Sequence, residues 1–308
     1  MFTILSGVLL YFTVFDGVYY LIRKRKRPNC FIYNNKIMIK VREIDCKTIL
    51  NKSGISGIDH ALNPYIGCEH SCVYCYAVFM KRFTGHNEPW GDFVDVKINA
   101  QEVLKKQLPK IKSGKISIGT VTDGYQPLER KYKITSSCLK ELIKYEYPVS
   151  ILTKSSLILR DLDFLKKIKV LDVGITITTL DEIIKKRLEP RSSSSIERLL
   201  ALRKLSEEGI NTWVFFGPVL PCFSDSIDKI EELWIAFSEA RVGRVLVDTM
   251  NLYPRVYYNL KRILKDSYPE MIDRYENIYR SRFRYLEELR WRIDSVAKKY
   301  NLPYEMCF

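Results

Sequence analysis

From Met38 onward the chain alternates short apolar runs with amphipathic stretches. The apolar runs read as strands at about Ala61–Ile66, Lys115–Val121, Pro148–Leu152, Leu171–Ile177, Thr212–Phe216 and Arg244–Val247. Between them a helical spacing covers Ala100–Gln107, Ser136–Tyr145, Asp161–Lys167, Asp181–Arg187, Ile196–Glu208 and Asp228–Glu239. Gly209 sits where a helix C-cap is expected, just past the fifth of these. Strand and helix in alternation predict a parallel sheet with crossover helices. The strands are continuous apolar runs, as a sheet covered by helices on its outer face requires. Six units predict an α/β fold, a partial (β/α)6 TIM-like barrel, short of the eight units that close one.

The pattern changes at about Asn251. Residues 251–308 carry two polar-aromatic helical stretches, Tyr257–Asp266 and Glu270–Tyr300, and no strand signal, which predicts a C-terminal helical extension to a barrel spanning 38–250. In that extension Arg274, Arg280, Arg282, Arg284, Arg290 and Arg292 interleave with Tyr275, Tyr279, Phe283, Tyr285 and Trp291. The aromatic positions fit a face that packs on the barrel, and the arginines its solvated side.

Residues 1–37 form a segment of a different kind. Phe2–Ile22 is mostly apolar over 21 residues, with Asp16 its one charge, and a basic run, Arg23–Arg27, follows at once. Its length suits a membrane anchor through residues 2–22, with the basic flank and the barrel in the cytoplasm. Met38 opens the first stretch that reads as barrel, so a leader upstream of the true start is the competing reading, beside an amphipathic segment lying on the enzyme.

The 308 residues are 46% hydrophobic and 28% charged, which excludes a disordered or polytopic membrane protein. The net charge of +14 favours an anionic partner and leaves nucleic acid open, although the excess is spread thinly beyond the N-terminal run. Eight cysteines in a chain of this size point away from a disulfide framework, and Cys68, Cys72 and Cys75 fall within eight residues of one another.

That trio lies in Asn63–Ala77 (NPYIGCEHSCVYCYA), a loop after the first predicted strand. Three thiolates in C-x3-C-x2-C spacing can each take one iron of a 4Fe-4S cube, leaving the fourth iron open for a substrate or cofactor. Zinc sites favour a C-x2-C pair matched by a second pair at a distance, and this sequence lacks one. His70, between the cysteines, is expected to be a solvent-exposed bystander.

The loop, placed after the first strand of a six-unit barrel, resembles the signature of the radical S-adenosylmethionine (SAM) superfamily, and more narrowly the branch containing spore photoproduct lyase. Trp90–Asn99 (WGDFVDVKIN), Gly119–Glu129 (GTVTDGYQPLE), Thr153–Ser155, Thr178–Pro190 (TTLDEIIKKRLEP) and Arg198–Gly209 continue the resemblance, which runs from about Met38 to Asp225. It implies a 4Fe-4S cluster on Cys68, Cys72 and Cys75, SAM chelating the open iron, and an external one-electron reductant. Reductive cleavage of SAM then gives a 5′-deoxyadenosyl radical that abstracts hydrogen from a substrate. The cofactor-binding positions it implies are Tyr74, Tyr76, Thr122, Asp123, Lys154 and Thr176. The sequence departs from the branch in one respect: the hydrogen-donating cysteine of spore photoproduct lyase falls on Thr120, a poor donor. Cys138 lies a helix away, and Cys222 is either a thiol facing the site or a small buried hydrophobe. An iron-sulfur electron carrier or redox sensor that does not use SAM is the alternative function, and a basic nucleic-acid-binding module with a structural metal is a third.

Overall fold

The computed structural model describes residues 10–15, 18–23 and 39–308. Strands β1 (Leu10–Phe15) and β2 (Val18–Arg23) pair antiparallel, within a unit separate from Met38–Phe308. Among the described residues no helix is long and apolar enough to cross a membrane. The expected anchor thus gains no support where it is described, and the remainder of residues 2–22 lies outside the described residues.

The 38–308 unit begins with β3 (Lys40–Ile44), β4 (Leu50–Lys52), β5 (His60–Leu62), β6 (Tyr65–Ile66) and β7 (Phe93–Lys97). Helix α1 (Ala100–Gln107), β8 (Ile116–Ile118), α2 (Glu129–Tyr132), α3 (Ile134–Leu142), β9 (Val149–Thr153), α4 (Leu162–Leu165) and β10 (Leu171–Thr176) follow. The barrel is completed by α5 (Glu182–Leu188), α6 (Ser195–Glu207), β11 (Asn211–Val219), α7 (Ile227–Glu239) and β12 (Arg244–Thr249). The chain ends with α8 (Pro254–Ser267), α9 (Ile272–Arg280), α10 (Arg282–Ala297) and β13 (Tyr304–Met306).

Strands β5, β8, β9, β10, β11 and β12 lie side by side in sequence order, all parallel, as the alternating pattern predicts. The sheet is open, with β13 beyond β12 on one edge and β4 antiparallel to β5 on the other. Helix starts match their caps: Asp181 accepts from the N–H groups of Ile183 and Ile184, and Ser194 with Glu197 forms a capping box on α6. Ile118, Ile151, Val173, Ile175, Val214, Phe216, Val245 and Val247 are buried in one continuous core with the crossover helices.

Three local expectations are corrected. The first strand, expected over Ala61–Ile66, breaks at Asn63-Pro64. Its tail becomes β6, antiparallel to β7 in a second sheet of order β3-β7-β6. Pro64 has no N–H for a ladder, and the Asn63 side chain turns instead to Thr120 and the Val121 N–H. The long helix expected over Glu270–Tyr300 is interrupted at Ser281, which leaves the helical region (φ −133°, ψ 65°). Tyr304–Met306, expected to be helical extension, pairs parallel with Val245–Val247 as a further barrel strand. A three-residue strand holds too little sequence to carry a periodicity.

A second apolar cluster bears on function. Tyr74 and Val78 from the cysteine loop pack with Leu220 and Phe223 after β11, Met250 after β12, Val256, Leu260 and Leu264 of α8, and Tyr275 of α9. The C-terminal helices therefore cover the loop as well as the barrel wall.

Candidate cofactor site

Gly67 leads from β6 into the loop with φ +85°, and a Cβ there would stand 2.4 Å from the Phe93 carbonyl oxygen. Only glycine fits so close to β7 in that conformation. The Gly67 carbonyl accepts from Thr122 Oγ1 at 2.6 Å, tying the loop to the end of β8. Beyond it Ser71 N–H donates to Cys68 O (3.3 Å) and Cys75 N–H to Cys72 O (3.1 Å), so the loop folds as two successive tight turns. Ser71 takes a left-handed φ of 54° directly against Gly91, where a Cβ would meet Ser71 Oγ at 2.3 Å.

Cys68, Cys72 and Cys75 are all free thiols. Burial pushes the Cys72 thiol up to about 12, with the Lys154 ammonium pulling the other way, and the same two influences act on Cys75. Burial, then the nearby Asp123 carboxylate, raises Cys68 well above its ordinary value. Such thiols keep their protons until a metal displaces them. Among the described residues, no three Cys, His, Asp or Glu side chains are grouped as ligands of one metal ion. Ligands of a cube each bind a separate iron and need not meet at a point, so this donor set suits a cluster better than zinc.

The strand ends supply the rest, as in barrels generally. Lys154 directly follows β9, and its ammonium lies 5.8 Å from the Tyr74 ring centroid. Its N–H donates to Asp123 Oδ2 (2.8 Å), while Asp123 Oδ1 accepts from Thr153 Oγ1 (2.7 Å) and Tyr125 N–H (2.8 Å). His70 Nδ1 stands 3.2 Å from the same carboxylate. Burial opposes ionisation of Asp123, but His70 and these hydrogen bonds win and hold it at about 2. His70 is thus buried, not the exposed bystander expected, because Asp123 draws it inward. The Tyr76 hydroxyl donates to Thr120 O, and Thr120 Oγ1 accepts from Asn63. Thr176 is buried at the end of β10 with its carbonyl oxygen on Arg198. Tyr74, Tyr76, Lys154, Thr122 and Asp123 therefore border the cysteine loop directly, and Thr176 is linked to it through Arg198.

Sequence reasoning missed the brace behind the loop. Glu189, fully buried, accepts from the Tyr74 hydroxyl, from Arg198 and from Thr178 Oγ1 (3.0 Å). Its burial would raise its pKa, yet Arg198 and Lys154 bring it down to about 2. Arg191 donates to Glu69 O (3.2 Å) and Gly91 O (2.7 Å) and pairs with Asp92, while its N–H reaches His70 O. Val73 N–H donates to Leu188 O (2.9 Å). Residues 188–191 thus hold the loop from one side along its length. Their one sequence signal is a charged Glu-Pro-Arg run after a helix, which on its own reads as surface. Elsewhere, Cys138 is buried in the barrel core, and Cys222 packs against the second cluster, burial pushing its thiol up to about 11.

Over residues 62–234 the chain matches the family model of the radical SAM superfamily. The chain belongs to the radical SAM superfamily. An uncharacterised protein of Methanocaldococcus jannaschii is 35% identical over 262 residues, covering 85% of this chain and 95% of its own. One of Mycobacterium tuberculosis is 29% identical over 280 residues, covering 86% and 82%. Among solved structures, a spore photoproduct lyase variant superposes with a TM-score of 0.64 at 12% identity, covering 87% of this chain and 82% of that one. Another, carrying AdoMet and dinucleoside spore photoproduct, gives 0.60 at 12% identity over 92% and 87%. This radical SAM enzyme thus shares the partial-barrel fold of spore photoproduct lyase.

Proposed function

We propose that this radical SAM enzyme holds a 4Fe-4S cluster on Cys68, Cys72 and Cys75, binds SAM at the open iron and acts by hydrogen abstraction. One observation carries the reading: three free thiols on one doubly turned loop, braced by Glu189 and Arg191, lie beside the Lys154 ammonium at the carboxyl ends of the barrel strands. When bound, the cluster would supply one electron to the sulfonium of SAM, releasing methionine and the 5′-deoxyadenosyl radical. The chain's own residues bind and orient. Lys154 offers a charged donor for the polar groups of SAM, and Tyr74 a ring face beneath it. Tyr76, held on the Thr120 carbonyl, would pack near SAM and Tyr74 would border its adenine, while Thr122 and Asp123 would line its amino and ribose groups. Thr176 lines the β10 side. The free thiols suit a reducing compartment such as the cytoplasm.

For the substrate, a nucleic acid component is suggested by the shared fold with a lyase solved with dinucleoside spore photoproduct, and the net charge of +14 permits it. Thr120 bonds to Asn63 and offers no thiol, so thymine-dimer repair itself does not carry over. The test is anaerobic reconstitution followed by dithionite and SAM. Formation of 5′-deoxyadenosine, lost in the Cys68, Cys72 and Cys75→Ala triple variant together with its iron, is the expected result. Bound iron without nucleoside formation would favour the electron carrier instead.

A further inference from the structure

The crossover helices settle which way each barrel strand faces. On β11 the Phe216 ring packs on Trp234 and Phe237 of α7, with centroids 6.1 and 6.2 Å away, so Phe216 points outward. Side chains alternate along a strand, which turns Trp213, Phe215 and Gly217 to the inner face. Register carries that face across the sheet: Gly174 lies beside Trp213, Thr176 beside Phe215, and Leu246 beside Phe215 on the other flank. Gly174 also lies beside Leu152. Alternation then puts Lys154, two residues past Leu152, and Asp248, two past Leu246, on the inner face as well. Deeper in, Trp213 fills the space over Gly174, where a Cβ would meet its ring at 2.4 Å. Lys154, Thr176 and Asp248 thus share the inner face at the carboxyl ends of the strands, and only the first two are among the proposed SAM contacts.

Asp248 differs from the other carboxylates near the site. Asp123 and Glu189 each meet several donors. Asp248 accepts from the Thr249 N–H at 2.7 Å and, among the described residues, has no side-chain partner and no ion pair. Burial pushes its carboxyl above the usual range, against that N–H and the Arg282 guanidinium. Arg282 is anchored on Thr249 Oγ1 at 2.7 Å instead of on the carboxylate. Partial burial, then Cys75, pushes the Tyr76 hydroxyl up to about 12 with Lys154 opposing, and Asp248 adds to the rise, so its field reaches the cysteine loop. An acceptor and a donor therefore stand near one another at the substrate end of the barrel, neither satisfying the other. A phosphate there would be repelled by Asp248 and an ammonium by Arg282, whereas a neutral group with a donor next to an acceptor suits both. The Watson–Crick edge of cytosine or adenine is such a group, an amino N–H beside a ring nitrogen. Thymine instead flanks its one N–H with two carbonyl oxygens.

We infer that Asp248 and Arg282 select the substrate base, the carboxylate accepting from an exocyclic amino group and the guanidinium donating to the ring nitrogen beside it. The inference rests on the nucleic-acid reading above and deepens it.

The experiment uses the anaerobically reconstituted full chain with SAM, and single-stranded hexamers of dC, dA and dT as probes at one salt concentration. Equal lengths cancel the phosphate contribution, so differences in affinity report the bases. Wild type should bind the dC or the dA hexamer roughly five- to 100-fold more tightly than the dT hexamer. Asp248→Ala should erase that preference, and Arg282→Met, which keeps the stem and removes the donors, should do the same. A merely structural role would weaken all three hexamers together and leave their ratio unchanged. SAM affinity of Asp248→Ala, read by equilibrium titration, should stay within about twofold of wild type. Hexamers that bind wild type without preference, or a preference that survives Asp248→Ala, overturn this inference alone. Hexamers that do not bind at all overturn the nucleic-acid reading with it, and an amidated tripeptide whose binding Asp248→Ala abolishes would then assign the pair to a protein amide. A failure of the cofactor reading shows separately, as wild-type protein that forms no 5′-deoxyadenosine with dithionite.

Discussion

Glu189→Gln should cost stability out of proportion to its size. The change keeps shape and hydrogen-bonding capacity but leaves the Arg198 guanidinium buried without its counter-charge. Both side chains are wholly buried, and Arg198 is fixed in place by the Thr176 and Ser193 carbonyls, each at 2.9 Å. Removing one partner of a buried pair costs about 3–5 kcal/mol. The titration argument agrees: a carboxyl held near 2 in the fold, against an unfolded value of about 4.3, contributes about 3 kcal/mol at neutral pH. In a unit of this size that lowers the melting temperature by roughly 6–15 °C. Arg198→Met should cost a similar amount, and the double variant should fall short of the sum by at least about 1 kcal/mol. The pH arm has a definite sign. The folded pKa lies below the unfolded one, so the contribution is complete above about 4.3 and fades as pH falls toward 2. Wild type should lose stability over that window, and Glu189→Gln should lose less. Anaerobic urea unfolding of the metal-free chain reads all of this. A Glu189→Gln midpoint within about 0.5 kcal/mol of wild type, or strict additivity in the double variant, would refute the argument.

Three further outcomes are expected. Gly67→Ala puts a Cβ on the Phe93 carbonyl at a positive φ, so it should destabilise by about 1–3 kcal/mol and reduce iron uptake, measured by unfolding and iron analysis. Lys154→Ala, which removes a charge-assisted contact of roughly 1.5–3 kcal/mol, should weaken SAM binding by about one to two orders of magnitude in equilibrium titration. A chain starting at Met38, the boundary of the second unit, should fold and still cleave SAM; an insoluble or iron-free product would count against that.

The barrel was legible because its strands are buried on both faces, and such strands are apolar runs that stand out between amphipathic helices. Ile116–Ile118 and Leu171–Thr176 fall inside the runs read as strands, and Val149–Thr153 passes the end of its run, Pro148–Leu152, by one residue. What escaped was structure whose cause lies elsewhere in the chain. Lys40–Ile44 is an exposed edge strand, ordered by pairing with Phe93–Lys97 and by the Arg42–Asp95 ion pair. Tyr304–Met306 becomes a strand only because Val245–Val247 offers it an edge. Neither partner can be inferred from local spacing.

The site divides along the same line. Cysteines that bind metal must sit close together on a short loop, so their chemistry is compressed into a readable motif. Residues that hold such a loop rigid have no reason to be near it in sequence. They need only reach it, and burial then demands that they arrive as compensated charges. Glu189 reaches Tyr74 across more than a hundred residues and meets Arg198 there; Arg191 spans a comparable distance to Glu69 and Gly91. In the sequence these are ordinary charged residues flanking a helix. For Glu189 and Arg198 the role follows from their having no solvent: a buried carboxylate and guanidinium are tolerated only where each contact is made, and Arg191, partly exposed, adds its contacts to the loop from the rim. The Glu189–Arg198 pairing thus helps to hold the loop that carries Cys68, Cys72 and Cys75, which is why Glu189→Gln should disturb that loop although it touches no cysteine.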